Sequence, residues 1–211
     1  LAHKLQFDVE FSKGAFWDRD MTISTQLAIS KYNPDIILYS DFDSIFSPED
    51  AIKLIDSLNN DPTAAVKGVV QMERHGDKPL VMDVNLDYTG DQTQVRFQHF
   101  GLTAVRTHVF TELPLPWFWS IPGSNGDWTL WNRSDADITF WRMLREYGLK
   151  VYQHNDIVIG HIINAIKWPK IDGSGVLLQP EDAYHVNGRP AKAGFNADCY
   201  RPKPTEPVKN G

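Results

Sequence analysis

The segment DIILYSDFDSIFSPED, residues 35–50, constrains the fold more than any other part of the chain. Its apolar run, residues 36–39, is typical of a short buried strand. Ser47 followed by Pro48 is the start signal of a helix, with Ser47 as the N-cap and Pro48 as the first helical residue. Strands continue to alternate with helices and are followed by antiparallel pieces. This order predicts a layered α/β fold.

Asp41 and Asp43 lie between the predicted strand and the helix cap, so helix capping does not explain them. In an extended chain, residues i and i+2 point to the same side, and these two negative charges would share one place. Such an arrangement is unfavourable unless a positive charge lies there. Carboxylate oxygens suit Mg²⁺, Mn²⁺ or Ca²⁺. The pair therefore predicts a divalent metal site.

Asp137 is a third carboxylate of interest. Phe140, Trp141 and Leu144 follow it by three, four and seven residues, so Asp137 shares the apolar face of the predicted helix. It also lies near the helix start, where the helix dipole favours an ionised carboxylate. We interpret Asp137 as a general base that faces a cleft. The alternative is that Asp135 or Asp137 only caps or charges the first turn.

Composition excludes several classes of protein. A formal net charge of −6 argues against nucleic-acid binding, which requires clustered Lys and Arg. No run of 18 apolar residues is present, so no membrane span is expected. The first residues lack the apolar core of a signal peptide, and the single cysteine, Cys199, cannot form an internal disulfide. These features predict a cytoplasmic protein.

Four of the seven tryptophans lie within the fifteen residues 117–131. Aromatic rings stack on sugar rings, although most tryptophans belong to a core. We predict that Trp117, Trp119 and Trp128 contact a sugar acceptor. Because the same loop contains Gly123 and Gly126, we also predict that it moves over the pocket as a lid.

Several segments in the same order resemble motifs of the GT-A glycosyltransferases, and most of all family-2-like members from bacteria and their viruses. Residues 36–50 resemble the strand and DxD motif, and residues 18–32 resemble the helix that precedes it. Residues 99–118 resemble the segment that meets the donor sugar. Residues 135–152 resemble the acidic motif of the catalytic base, and VIGHI, residues 158–162, resembles the segment with the late metal-binding histidine.

The resemblance implies a GT-A mixed sheet flanked by helices over residues 1–167, followed by an extended C-terminal segment, 168–211. It implies a metal site of Asp41, Asp43 and His161 that holds Mn²⁺ or Mg²⁺. Taken alone, His161 is more often structural than a ligand, but imidazole with carboxylates suits Mn²⁺. The resemblance further implies that Asp41, Arg19 and Gly101 contact a nucleotide-sugar donor, expected to be a UDP-sugar, and that Asp137 is the base.

The expected function is metal-dependent transfer of a sugar from a nucleotide-diphosphate sugar to a hydroxyl of a glycan, protein or small molecule. GT-A folds begin with a strand that holds the nucleotide base, whereas here the DxD strand begins close to the start of the chain. We expect either a truncated piece of a longer protein or an unusual grip on the base. Two alternatives remain open: a haloacid-dehalogenase-type phosphatase that uses Asp41 and Asp43, and a non-catalytic carbohydrate-binding protein.

Overall fold

The structure, a computed structural model, describes residues 8–10, 16–71, 86–129, 132–162, 165–170, 172, 174 and 176–193. The helices in this part of the chain are α1 (Trp17–Tyr32), α2 (Pro48–Asn59), α3 (Val109–Glu112), α4 (Ala136–Glu146) and α5 (Glu181–Asn187). The strands are β1 (Ile36–Tyr39), β2 (Ser44–Ile45), β3 (Val66–Gln71), β4 (Gln92–Val95), β5 (Thr103–Arg106), β6 (Val151–His161), β7 (Ala165–Pro169) and β8 (Val176–Pro180). None of these helices is long and apolar enough to cross a membrane. The chain divides into two compact units, Leu1–His161 and Ile162–Gly211.

The first unit contains a mixed sheet of six strands in the order β1-β5-β3-β6-β2, with β4 also paired to β6. The β3–β6 pair is parallel, and the other pairs are antiparallel. Helix α2 packs against β3, β5 and β6. The predicted fold class, a mixed α/β sheet flanked by helices, is confirmed.

The local signals around α2 and α4 are confirmed. Ser47 caps α2 in a reciprocal capping box with Asp50, in which each side chain accepts the backbone N–H of the other. Helix α4 buries Phe140 and Trp141 completely, as its apolar spacing predicts. It ends before Gly148, whose φ of +73° is the left-handed conformation that glycine adopts without strain.

An aromatic cluster forms much of the core. The ring of Phe100 stacks on Trp141 at a centroid distance of 4.8 Å, and Phe118 stacks on Phe140 at 4.7 Å. Tyr39, the last residue of β1, contacts Phe100 edge-on. The cluster therefore ties the end of β1 to the buried face of α4.

Residues 101–113 depart from the local prediction. Their pattern predicts one small helix, but the structure places strand β5 there, followed by the single-turn helix α3. Thr103, Ala104 and Val105 are buried between β1 and β3. Pairing on both sides outweighs the local preference, which is a weak determinant of structure.

The second unit contains β7 and β8, which pair as an antiparallel hairpin, followed by α5. The predicted boundary between residues 167 and 168 falls inside β7. Because β7 pairs along its whole length with β8, the division lies before the hairpin, at His161–Ile162. The predicted extended segment thus includes a strand and a helix among residues 176–187, while residues 194–211 lie outside the described part.

Candidate functional site

A cavity of about 610 Å³ opens in the first unit, where α1 begins, β1 ends and α4 begins. Its lining carboxylates are Asp18, Asp41, Asp135 and Asp137. Its aromatic residues are Phe16, Trp17, Phe100 and Trp128, and His99, Ser120 and Ala136 complete the lining. The cavity therefore joins Asp41, which follows the predicted strand, to Asp137 in the first turn of α4.

Asp137 is half-buried in the wall of this cavity. Burial raises the pKa of its carboxyl group, the hydrogen bond from the backbone N–H of Ile138 (2.7 Å) opposes the rise, and the charge of Asp135 adds to it. The helix start was expected to favour the ionised form, but burial has the larger effect. A carboxylate with a raised pKa in a cavity is suited to accept a proton near neutral pH.

Asp41 and Asp43 lie in a turn between β1 and β2, in which the backbone N–H of Ser44 donates to the carbonyl oxygen of Asp41 at 3.1 Å. Because the segment is not extended, the predicted same-side arrangement does not hold. Asp41 lines the cavity, whereas Asp43 is buried and its Oδ2 lies 3.2 Å from Nε2 of His161. The pairing of β2 with β6, which sets Ser44 opposite His161, brings this pair together.

Among the described residues, no group of three or more His, Cys, Asp or Glu side chains is arranged to hold a metal ion. The predicted set of Asp41, Asp43 and His161 is therefore not assembled as a group, because the turn directs the two aspartates to different surroundings. Asp43 and His161 still offer one carboxylate and one imidazole at adjacent positions. This donor set fits a cation such as Mn²⁺ that completes its coordination with substrate phosphates and water.

His99 was missed by the sequence analysis, although it lies in the segment used for the resemblance. Its Nδ1 accepts the backbone N–H of Gly101 at 3.1 Å, so Nε2 carries the proton and donates to the carbonyl oxygen of Val69 at 2.9 Å. Burial lowers the pKa of His99 to about 4, the Val69 bond opposes this, and nearby His161 lowers it further. His99 is therefore a neutral and fixed part of the cavity wall, and the charge of His161 acts on it.

Gly101 was predicted to contact the donor, but it is not among the lining residues. A Cβ at this position would collide with the side chain of Gln71. The amide of Gln71 is buried and donates to Oγ of Ser44 at 3.0 Å. Gly101 therefore permits a close approach between the chain after β4 and the end of β3, which is a packing role.

Arg19 was also predicted to contact the donor. In the structure it is exposed on α1, while its neighbours Trp17 and Asp18 line the cavity. Each residue of a helix turns by about 100°, so the position after Asp18 points away from the wall. The backbone N–H of Arg19 donates to Oδ1 of Asp18 at 2.8 Å.

The predicted acceptor tryptophans have different locations. Trp128 is 53% exposed and lines the cavity. Trp117 is only 5% exposed, donates from Nε1 to the carbonyl oxygen of Leu113 and packs against Phe110, so its prediction as an acceptor contact is wrong. Trp119 packs against the aromatic core and is not among the lining residues. Trp131 of the same predicted loop lies outside the described residues.

The loop predicted as a lid is tied to itself. Ile121 and Ser134 exchange two backbone hydrogen bonds of 2.8 Å. Gly123 donates to the carbonyl oxygen of Asp127 at 2.7 Å, and a Cβ on Gly123 would collide with the backbone of Asn132. Gly123 is thus required for close packing rather than for flexibility. Movement of this loop over a bound donor stays a prediction.

Comparisons with known proteins identify the fold and no family. Neither the models of known protein families nor the curated proteins contain a match. The chain is similar to the crystal structure of A197 from STIV, with 14% sequence identity, a TM-score of 0.55 and coverage of 82% of this chain and 81% of that chain. At this identity the likeness bears on the fold alone.

Proposed function

We propose that this protein is a metal-dependent glycosyltransferase that moves a sugar from a nucleotide-diphosphate sugar, with UDP as the expected nucleotide, to a hydroxyl acceptor. One observation carries the proposal: Asp41 and Asp137 line the same cavity, and His161, which pairs with the buried Asp43, acts electrostatically on His99 in the wall of that cavity. The positions of these residues in the chain follow the order of motifs that resembles the GT-A glycosyltransferases. The mixed sheet flanked by helices is consistent with that resemblance.

In the proposed reaction, the carboxylate of Asp137 accepts the proton of the acceptor hydroxyl. The acceptor oxygen then forms a bond to the anomeric carbon, and the bond from that carbon to the phosphate oxygen of UDP breaks. UDP leaves with the electron pair, and the proton stays on Asp137. Burial of Asp137 strengthens its basicity, because the pKa of its carboxyl group is raised.

Asp43 and His161 would hold the cation, and Mn²⁺ bound there would supply Lewis-acid stabilisation of the leaving diphosphate. Among the described residues that line the cavity, no lysine or arginine is present to compensate the charge of a diphosphate. A cation bound at the Asp43–His161 pair would supply the positive charge that compensates the diphosphate of the proposed donor.

Replacement of Asp43 tests the donor site. In a calorimetric titration, UDP should bind the wild type in the presence of Mn²⁺, and Asp43→Ala should lose most of this Mn²⁺-dependent affinity. Asp56→Asn removes a charge from the exposed face of α2 and is expected to bind like the wild type. Unchanged UDP affinity in Asp43→Ala would exclude the metal assignment. A phosphatase would instead hydrolyse phosphate monoesters, and a carbohydrate-binding protein would bind glycans without UDP.

The pH profile tests the base. Asp137 acts when it is deprotonated, so kcat/KM should fall as the pH decreases through a pKa above the ordinary aspartate value of about 3.9. Asp135→Asn removes the neighbouring negative charge, which contributes to this rise, and should move the acidic limb to lower pH. Asparagine is as good an N-cap residue as aspartate, so the helix start should be retained. An acidic limb that stays in place in Asp135→Asn would contradict the assignment.

A further inference from the structure

The charged side chains among the described residues that line the cavity are four aspartates, with no lysine or arginine. One of the four, Asp135, is paired with Arg133, whose Nε lies 2.7 Å from its Oδ1. Asp18 accepts a backbone N–H from Arg19, a neutral donor that adds no positive charge. The charge of Asp18 therefore disfavours a negatively charged ligand group beside it.

Two tryptophans contribute large apolar surfaces to the same wall from distant parts of the chain. Trp17 is 42% exposed and Trp128 is 53% exposed. The ring of Trp17 is held by Phe100 and Phe118, at centroid distances of 5.7 and 5.8 Å. Its orientation is therefore set before any ligand binds, and such preorganisation lowers the entropic cost of binding.

A ligand that suits this wall has an apolar face for the tryptophans and hydrogen-bond donors for the carboxylates. A pyranose ring has both, because its C–H groups form an apolar face and its hydroxyls donate at the edge. The diphosphate of a donor lacks both features and is expected beside the Asp43–His161 pair, which is not among the lining residues. The cavity would then hold the acceptor sugar.

We propose that the cavity selects a neutral or cationic sugar ring as the acceptor, with Trp17 and Trp128 as its stacking surfaces and Asp18 as the residue that rejects anionic acceptors. This inference deepens the proposed function and rests on it. A ligand carboxylate near Asp18 would meet a like charge at partly exposed surroundings. At such a site the repulsion between two unit charges a few ångströms apart is worth about tenfold in affinity.

A charge series on one sugar tests the selection without any donor. The probes are methyl glucoside, glucosamine and methyl glucuronide, with the matching galacto and manno series, titrated against the whole chain by saturation-transfer NMR. In at least one series, the neutral and cationic members should bind, and the uronate should bind about tenfold more weakly. Asp18→Asn should reduce that difference, whereas Asp56→Asn, which removes an exposed charge on α2, should preserve it.

The stacking surface is tested at Trp128. Trp128→Ala should abolish the sugar signal and Trp128→Phe should keep it, while Tyr147→Ala, which removes an aromatic ring that is 51% exposed and does not line the cavity, should have no effect. The inference is overturned if a uronate binds as well as its neutral partner, if none of the probes binds, or if Trp128→Ala still binds them. Retained sugar selection without Mn²⁺-dependent UDP binding would instead refute the transferase. Transfer that prefers uronate acceptors would refute only the selection.

Discussion

Asp137→Asn is expected to lower the rate of sugar transfer by about 10²–10⁴-fold, the usual contribution of general-base catalysis, while UDP and Mn²⁺ still bind. The substitution keeps the size of the side chain and its position in α4, but an amide does not accept the acceptor proton at neutral pH. Because Asp137 is half-buried in the cavity, a solvent-exposed group is not expected to take over its role as the base. Release of UDP from a panel of UDP-sugars, with methyl glycosides as acceptors, measures the loss.

Asp56→Asn serves as the matched control, because it makes the same chemical change on an exposed position of α2. A wild-type rate in Asp137→Asn would exclude the base assignment, provided that the control is also active. The stereochemistry of the product, measured by NMR, adds a second criterion. If the anomeric configuration is inverted, Asp137 deprotonates the acceptor; if it is retained, Asp137 orients the acceptor or stabilises developing positive charge.

Two of the carboxylates that line the cavity could be predicted because their signals are local. Asp41 follows an apolar strand, and Asp137 occupies the apolar face of α4 at its first turn. The position of Asp137 follows from helix periodicity, and that of Asp41 from the end of the apolar run. The contact between Asp43 and His161 joins residues far apart in the chain and was reached only through the resemblance.

The rest of the cavity could not be predicted, because it depends on how distant elements meet. Trp17 and Asp18 begin α1, and their side chains resemble ordinary first-turn residues in the sequence. Trp117 and Trp128 are alike in sequence, but the packing of α3 buries the first and leaves the second on the wall. The packing roles of Gly101 and Gly123 could not be predicted either, because the atoms that leave no room for a Cβ there belong to other segments.

The fold was predicted more completely where a helix has clear end signals and one apolar face, as α2 and α4 do. It was predicted less well at β5, which is short and takes its conformation from two neighbouring strands. Nothing in the sequence indicates that β3 contains a buried charge. Lys67 reads as an ordinary polar residue of a strand, yet its side chain is 2% exposed.

Substitutions at this buried lysine and at its partner Asp61 are expected to change the stability of the fold. Nζ of Lys67 lies 3.2 Å from Oδ2 of Asp61 and donates to the carbonyl oxygen of Ser57 at 2.9 Å and to Oε1 of Gln92 at 2.6 Å. Burial raises the pKa of Asp61, but hydrogen bonds from Thr63, Gln92 and Lys67 outweigh it and hold that pKa well below its usual range. The ion pair thus links the end of α2 to β3 and β4.

Asp61→Ala should lower the free energy of unfolding by about 3 kcal/mol, because it leaves the ammonium group of Lys67 buried without its counter-charge. Lys67→Met should cost less than about 1.5 kcal/mol, since methionine fills the space without a charge and Asp61, whose side chain is 17% exposed, retains Thr63 and water. Urea denaturation followed by tryptophan fluorescence measures both, and the double variant tests whether the two costs share one interaction.

The same pair predicts a pH dependence with a definite sign. The pKa of Asp61 is lower in the folded chain than in the unfolded one, so its contribution is complete above the ordinary aspartate pKa of about 3.9 and is lost as the pH falls below it. The difference in unfolding free energy between the wild type and Asp61→Ala should therefore be constant near neutral pH and shrink in acid. Equal costs for Asp61→Ala and Lys67→Met, or a difference that grows in acid, would show that the pair is not what stabilises this corner of the sheet.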